Sequence, residues 1–129
     1  MLGRVNKDTG FTLVELLIAI AIIAVLAAIA IMQLQKFRIQ AYDATAKADL
    51  SNAMKGLEIY LTEYNTFPAT PAGLLASGFS LSKNVSFSKY KVETMSNGNP
   101  TAHMHLEHGS SPNAWHANYP KEGSEIEIR

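Results

Sequence analysis

Residues 16–32 form an uninterrupted apolar run of 17 positions, and residues 13–32 extend it with Glu15 as the only charge. Crossing about 30 Å of hydrocarbon takes roughly 20 helical residues, so the run has the length of a membrane span. It has no polar face, which is the pattern of a helix surrounded by lipid or by other helices. Polar residues return from Gln33. Leu50, Ala53, Met54, Leu57, Leu61 and Tyr64 then fall on one stripe of a 3.6-residue period, with Lys47, Asn52, Lys55, Glu58 and Thr62 largely off it. The pattern predicts one helix over residues 11–65, apolar all round in its first half and amphipathic in its second. Asp43 and Lys47 stand in the favourable i,i+4 order, and Gly56 is the weak point of the helix. The stretch "YNTFP" ends it, because Pro68 pushes Phe67 out of the α region.

Beyond the helix, "TPAGLLASG" predicts one or two helical turns, with Thr70 as N-cap, Pro71 at the first helical position and Gly78 past the end. Alternation then replaces the helical period. Val85, Phe87, Tyr90 and Val92 change phase once, which predicts a bulge near Ser88 and Lys89. Asn97-Gly98 is a hairpin signal. Ala102, Met104 and Leu106 alternate with His103, His105 and Glu107. Trp115, Ala117 and Tyr119 alternate again, and Ile126 and Ile128 share a face in the last segment. The expected fold is α+β: a long N-terminal helix whose amphipathic half packs on a small four-stranded antiparallel sheet. The chain divides into residues 1–10, the transmembrane half of the helix at 11–32, the amphipathic half at 33–65 and a C-terminal β domain at 66–129.

Composition narrows the function classes. Eleven basic and 11 acidic residues cancel, so no electrostatic footprint of a nucleic-acid binder is visible. There is no cysteine, hence no disulfide staple, and the β domain must rely on its own packing. Arg4 and Lys7 ahead of the apolar run, with small residues in "LAAIA", match a secretory signal peptide. The length of the run, the early Glu15 and the helical continuation "IMQLQKFRIQ" favour a retained anchor. Arg4 and Lys7 on one side nearly balance Lys36 and Arg38 on the other, so charge leaves the orientation open. A charged residue at mid-bilayer costs about 2.5–3.5 kcal/mol, so a carboxylate at position 15 calls for a partner.

The stretch "GFTLVEL", residues 10–16, supplies a resemblance. A short basic leader ends in Gly10, Phe11 follows, then Thr12 and Leu13, with Glu15 five residues past the glycine and a long apolar helix behind it. This order resembles the type IV prepilins and the related pseudopilins of type II secretion and DNA uptake. The match is dense over residues 10–30 and trails off toward Phe67. The resemblance implies a fold with a long N-terminal helix and an antiparallel sheet. It also implies a leader at 1–10, cut by a membrane prepilin peptidase between Gly10 and Phe11, and methylation of the new Phe11 amine by the same enzyme. The subunit would wait in the bacterial inner membrane. An inner-membrane assembly machine would then add it to a homopolymeric filament on the cell surface, with residues 11–32 in the fibre core. Glu15 would pair with the Phe11 amine of a neighbouring subunit; the local alternative is a carboxylate stabilised by its own helix N-terminus. Adhesion, motility or a related surface role follows for a pilus subunit, and secretion or DNA uptake for a pseudopilin. The family often carries a glycine in the middle of the buried half, a proline near its end and a C-terminal cysteine pair. This chain has Ala24 and Met32 at the first two places and lacks the third, which predicts an unbroken helix through residues 24–32.

Other patterns are weaker. His103, His105 and Glu107 share a strand face, with His108 and His116 near in sequence, and such donors suit Zn²⁺, Cu²⁺ or Ni²⁺. A solvated strand face explains the same alternation, and no metal or cofactor is assigned. Phe11, Phe37, Tyr42, Tyr60, Tyr64 and Phe67 place rings along the helix and its end. Their spacing resembles the short aromatic-bearing pilins proposed to conduct electrons through ring contacts, while the packing alternative makes Tyr64 a core residue and Phe37 and Tyr42 helix-packing groups. No serine, histidine and carboxylate spacing implies a nucleophile and base, so an enzyme is not expected.

Overall fold

The computed structural model describes residues 10–119 and 127–128. Helix α1 runs Leu13–Tyr64 without interruption, so the helix through residues 24–32 is unbroken as expected. Each end is set by a local device. At the start Thr12 is a cap rather than the first helical turn. At the finish Asn65 adopts φ +54° and its N–H donates to the Leu61 carbonyl at 2.8 Å, a left-handed stop that asparagine tolerates. The break therefore comes at Asn65, ahead of the restriction imposed by Pro68.

Two compact units divide the chain, one up to Lys36 and the other Phe37–Arg129. In the first, the helix is exposed all round: Leu13, Ile18, Ile23, Leu26 and Met32 each keep more than half of their surface open. It is long and apolar enough to cross a membrane.

The second unit contains the amphipathic half of α1, a short helix α2 (Pro71–Ala76) and strands β1 (Val85–Thr94), β2 (Pro100–His108) and β3 (Ala114–Tyr119). The strands form an antiparallel meander in chain order. Three are full strands. Instead of the four strands expected, the described residues give these three, with a two-residue pairing, β4 (Glu127–Ile128), that meets β3 at Trp115 and His116. Ile126 lies outside the described residues. The β1–β2 register shifts between Phe87 and Lys89, which is the bulge expected from the phase change. The Asn97-Gly98 turn is longer than two residues. The Gly98 N–H donates to the Met95 carbonyl at 2.9 Å and the Met95 N–H to the Asn99 carbonyl at 2.8 Å, with Gly98 at φ +86°. This is a tight turn followed by a left-handed residue, which only glycine adopts without strain.

The core joins Ala46, Leu50, Ala53 and Leu57 of α1 to Ala102, Met104, Leu106, Trp115 and Ala117 of the sheet, with Phe67, Leu74 and Val85 closing the margins. The helix stripe is displaced toward its N-terminal side from the sequence expectation. Met54 and Leu61 are only partly buried and Tyr64 is 56% exposed, so Tyr64 is not a core residue. Phe67, returned by the turn after the helix, takes the place at that end and packs edge-on against Tyr119. The expected Asp43–Lys47 pair is also replaced. Asp43 accepts hydrogen bonds from the Ser111 hydroxyl and, at 2.7 Å, from the Asn113 amide. The Lys47 ammonium sits 5.2 Å from the Trp115 ring centre, a cation–π contact. Asp49, buried on the same helix, accepts from the Ser82 N–H at 2.7 Å and its hydroxyl at 2.9 Å. The two aspartates thus pin two loops to the helix that covers the sheet, satisfying polar groups that are costly to leave unpaired.

Helix α2 begins at Pro71 after Thr70, whose backbone is extended but whose side chain makes no capping bond. Two glycines set its packing. A methyl at Gly73 stands 2.8 Å from the Pro68 Cβ, whereas one at Gly56 meets the tip of Leu74 at 3.1 Å. Gly56 is therefore a point of close approach rather than a defect. Pro68 is rigid and Leu74 flexible, so Gly73→Ala is expected to destabilise by about 1–3 kcal/mol and Gly56→Ala to be much milder. Chemical denaturation of both variants compares them directly.

The Tyr90 hydroxyl donates to the Pro68 carbonyl at 2.7 Å, and burial, aided by nearby Tyr60, pushes its phenol up to about 12. The folded value lies above the unfolded one, so this contribution is complete below about pH 10 and lost as pH rises toward 12. The expected result is a steeper alkaline loss of stability for the wild type than for Tyr90→Phe over that window, read by thermal unfolding at a series of pH values.

Candidate functional site

At the start of α1 the structure brings Glu15 to Thr12, while Gly10 and Phe11 lie exposed just outside the helix. Thr12 and Glu15 form a reciprocal cap. The Glu15 N–H donates to the Thr12 hydroxyl oxygen at 3.2 Å. In return the Glu15 carboxylate accepts the Thr12 N–H at 2.9 Å and the Thr12 hydroxyl at 2.8 Å. The first helical turn is completed by the Leu16 N–H on the Thr12 carbonyl at 3.2 Å. This is a capping box, and its signature, Thr-x-x-Glu ahead of an apolar run, stands in the sequence as "TLVE". The apolar pattern does not show Thr12 as the partner of Glu15; the Thr-x-x-Glu spacing is the signal that carries it.

The cap has a chemical consequence. It uses one side of the carboxylate locally and holds it at the helix start, while the whole residue remains exposed. Phe11, immediately outside the helix, is 86% exposed. Gly10 is exposed too, with nothing within 4 Å of the place where a side chain would stand. Among the described residues nothing covers the Gly10–Phe11 bond, and the carboxylate four residues on keeps acceptor capacity for a second donor.

The aromatic candidates do not assemble into one file. Tyr60 and Tyr64 form a pair with ring centres 4.5 Å apart. Tyr42 instead stacks on His108 at 4.4 Å and 7°, Phe67 meets Tyr119 at 6.0 Å, and Phe37 is 64% exposed. The histidines also take different partners. His108 is buried under Tyr42 and accepts the Ser110 N–H. His103 bridges Asn118, at 2.6 Å, and Glu93, at 3.3 Å. Glu93 is held below the usual carboxylate range mainly by Lys91. His103, His105 and Glu107 share the outer face of β2, as alternation predicts, and His105 meets His116 across the strands. Among the described residues no three histidine or carboxylate side chains gather as a metal-binding group.

Comparison with known proteins bears on this site directly. Residues 5–31 match the prokaryotic N-terminal methylation motif. Over 80 residues the chain is 45% identical to the type IV wide pilus major component PilA4 of Thermus thermophilus, a match covering 61% of each protein. Over 71 residues it is 31% identical to the type II secretion system core protein G of Pseudomonas aeruginosa, covering 55% of this chain and 50% of that protein. The chain thus spans about three-fifths and one half of the relatives it matches. A pilus component and a secretion-system protein are both similar to it, as the resemblance in "GFTLVEL" implies. The methylation motif thus lies over the capped helix start and the apolar span, in a chain that is similar over about three-fifths of its length to a type IV pilus component.

Proposed function

We propose that this chain is the structural subunit of a type IV pilus. In this reading residues 1–10 are a leader, and a prepilin peptidase cuts between Gly10 and Phe11 and methylates the Phe11 amine. Residues 11–32 anchor the subunit in the inner membrane and then form the fibre core, and an inner-membrane machine polymerises it with copies of itself into a surface filament. Residues 33–65 and the sheet then present the outer surface. The observation that carries this reading is the apolar half of α1, exposed around its whole circumference and headed by a capped carboxylate at Glu15. Such a surface needs lipid or neighbouring helices of the same kind, and the methylation motif covers that stretch. No substrate chemistry enters, since assembly is driven by packing and charge pairing.

The capping box survives the proposed cut, because Thr12 would become the second residue of the mature chain. The amine created at Phe11 would lie just outside the helix, where an adjacent subunit's Glu15 can accept it. Wild-type protein recovered from membranes is expected to lack the first ten residues and to carry one added methyl group on Phe11, as read by intact mass and N-terminal sequencing. A start near Ile31 would mean an ordinary signal peptide and would overturn the proposal. The similarity to a type II secretion protein supports a second reading, a pseudopilin. Imaging separates the two: filaments of this chain on the cell surface favour the pilus subunit, and short assemblies confined to the periplasm favour the pseudopilin.

A further inference from the structure

The face of the sheet turned away from the helix carries a histidine pair that the filament reading leaves unused. Ala102, Met104 and Leu106 are fully buried on the inner side of β2, so His105, between them, belongs to the outer side. His116 stands likewise between buried Trp115 and Ala117 on β3. The register sets His105 directly opposite His116, with ring centres 5.3 Å apart and planes 28° from parallel. On the next strand the same register line continues to Glu127, opposite His116. On the other side it reaches Lys89, opposite His105.

We propose that His105 and His116 form a two-imidazole chelate for a divalent transition metal of the copper, nickel and zinc group. Borderline nitrogen donors select these ions over calcium or magnesium. Metal–nitrogen bonds of about 2.0–2.1 Å require two donor atoms to approach to roughly 3 Å. Opposed residues on neighbouring strands hold their Cβ atoms about 4.5–5.5 Å apart, so small ring rotations close that distance without moving the backbone. Water fills the remaining positions. Among the described residues Lys89 is the cation along this line; it is exposed, and its long side chain can turn to solvent. His103 sits on the same face but stands opposite Asn118 in the register rather than opposite a histidine, which makes it an internal control.

The test uses the full chain in detergent micelles with Cu²⁺ alone in a non-coordinating buffer near neutral pH. Electron paramagnetic resonance of the wild type is expected to show hyperfine structure from two imidazole nitrogens at one bound equivalent. His105→Asn and His116→Asn should each lower the affinity by about tenfold or more and leave one nitrogen, whereas His103→Asn should stay within about twofold of wild type. A wild-type spectrum without two coupled nitrogens overturns the proposal, whatever the variants do. So does an equal loss in His103→Asn, which would indicate scattered surface histidines. Neither result bears on whether the chain forms filaments.

Discussion

Glu15→Val is expected to leave membrane insertion and cleavage after Gly10 intact and to abolish most filament assembly. Removing the charge makes the apolar span cheaper to hold in lipid, and residues 1–10 are unchanged. In the proposed fibre, however, each incoming Phe11 amine would enter an apolar core with no carboxylate to meet it. Breaking a buried pair by removing one partner is strongly destabilising, so the loss is on the order of a hundredfold or more for each subunit added. A purely local role for Glu15 gives a different outcome. A carboxylate acting only on its own helix terminus is worth roughly a two- to fivefold effect, too little to stop polymerisation. Thr12 allows the two roles to be separated. Thr12→Val removes the hydroxyl from the capping box, where it both accepts from Glu15 and donates to it, yet leaves the carboxylate available. The expected pattern is processed subunit with few filaments for Glu15→Val and near-normal filaments for Thr12→Val, counted by electron microscopy with processing followed by mass. Equal loss in both variants would assign the effect to the cap, and abundant filaments from Glu15→Val would remove the intersubunit pair from the mechanism.

Leu50→Ala is expected to cause a large stability loss in the second unit. Leu50 is fully buried at the centre of the cluster joining α1 to the sheet, and truncating such a leucine costs about 2–5 kcal/mol. Domains of ordinary size are stable by only about 5–15 kcal/mol, and this one has no disulfide to limit its unfolded state. A shift of 1 kcal/mol moves the midpoint of a unit this small by about 4–8 °C, so the melting temperature should fall by about 8 °C or more. Leu26→Ala is the control, because Leu26 is 61% exposed in the apolar half of the helix. Thermal unfolding in detergent, followed through hydrogen exchange of the strand amides, should show protection lost early in Leu50→Ala and retained in Leu26→Ala. A shift under about 2 °C for Leu50→Ala would mean that the helix contributes little to holding the sheet.

What was legible beforehand depended on whether local chemistry decided it. The apolar run, the continuous helix through Ala24 and Met32, the phase change at the bulge and the inward set Ala102, Met104 and Leu106 each follow from a period of 3.6 or 2 and from intrinsic backbone preference. The stretch that carries Gly10, Phe11 and Glu15 lies within the motif match over residues 5–31, which leaves the roles of the three residues as proposals. The Thr12 cap was legible in principle, since its Thr-x-x-Glu spacing is local, but it was not read.

Other features were decided only by the tertiary structure. An i,i+4 spacing offers Asp43 and Lys47 to each other, but a loop serine, a loop asparagine and a tryptophan ring make better partners once β2 and β3 are folded against the helix. The stripe on α1 admits Tyr64, but the chain turns at Asn65 and Phe67 fills that end of the core instead. Gly56 reads as the weak point of its helix, and only the packing shows that it, like Gly73, is a point of close approach. Alternation puts His105 on one face with His103, and only the strand register adds His116 opposite it. The sequence by itself determined where the chain is helical, where it is extended and which face is apolar, because those depend on residues a few positions apart. The partners of the polar and aromatic side chains lie tens of residues away, and only the folded register chooses among them.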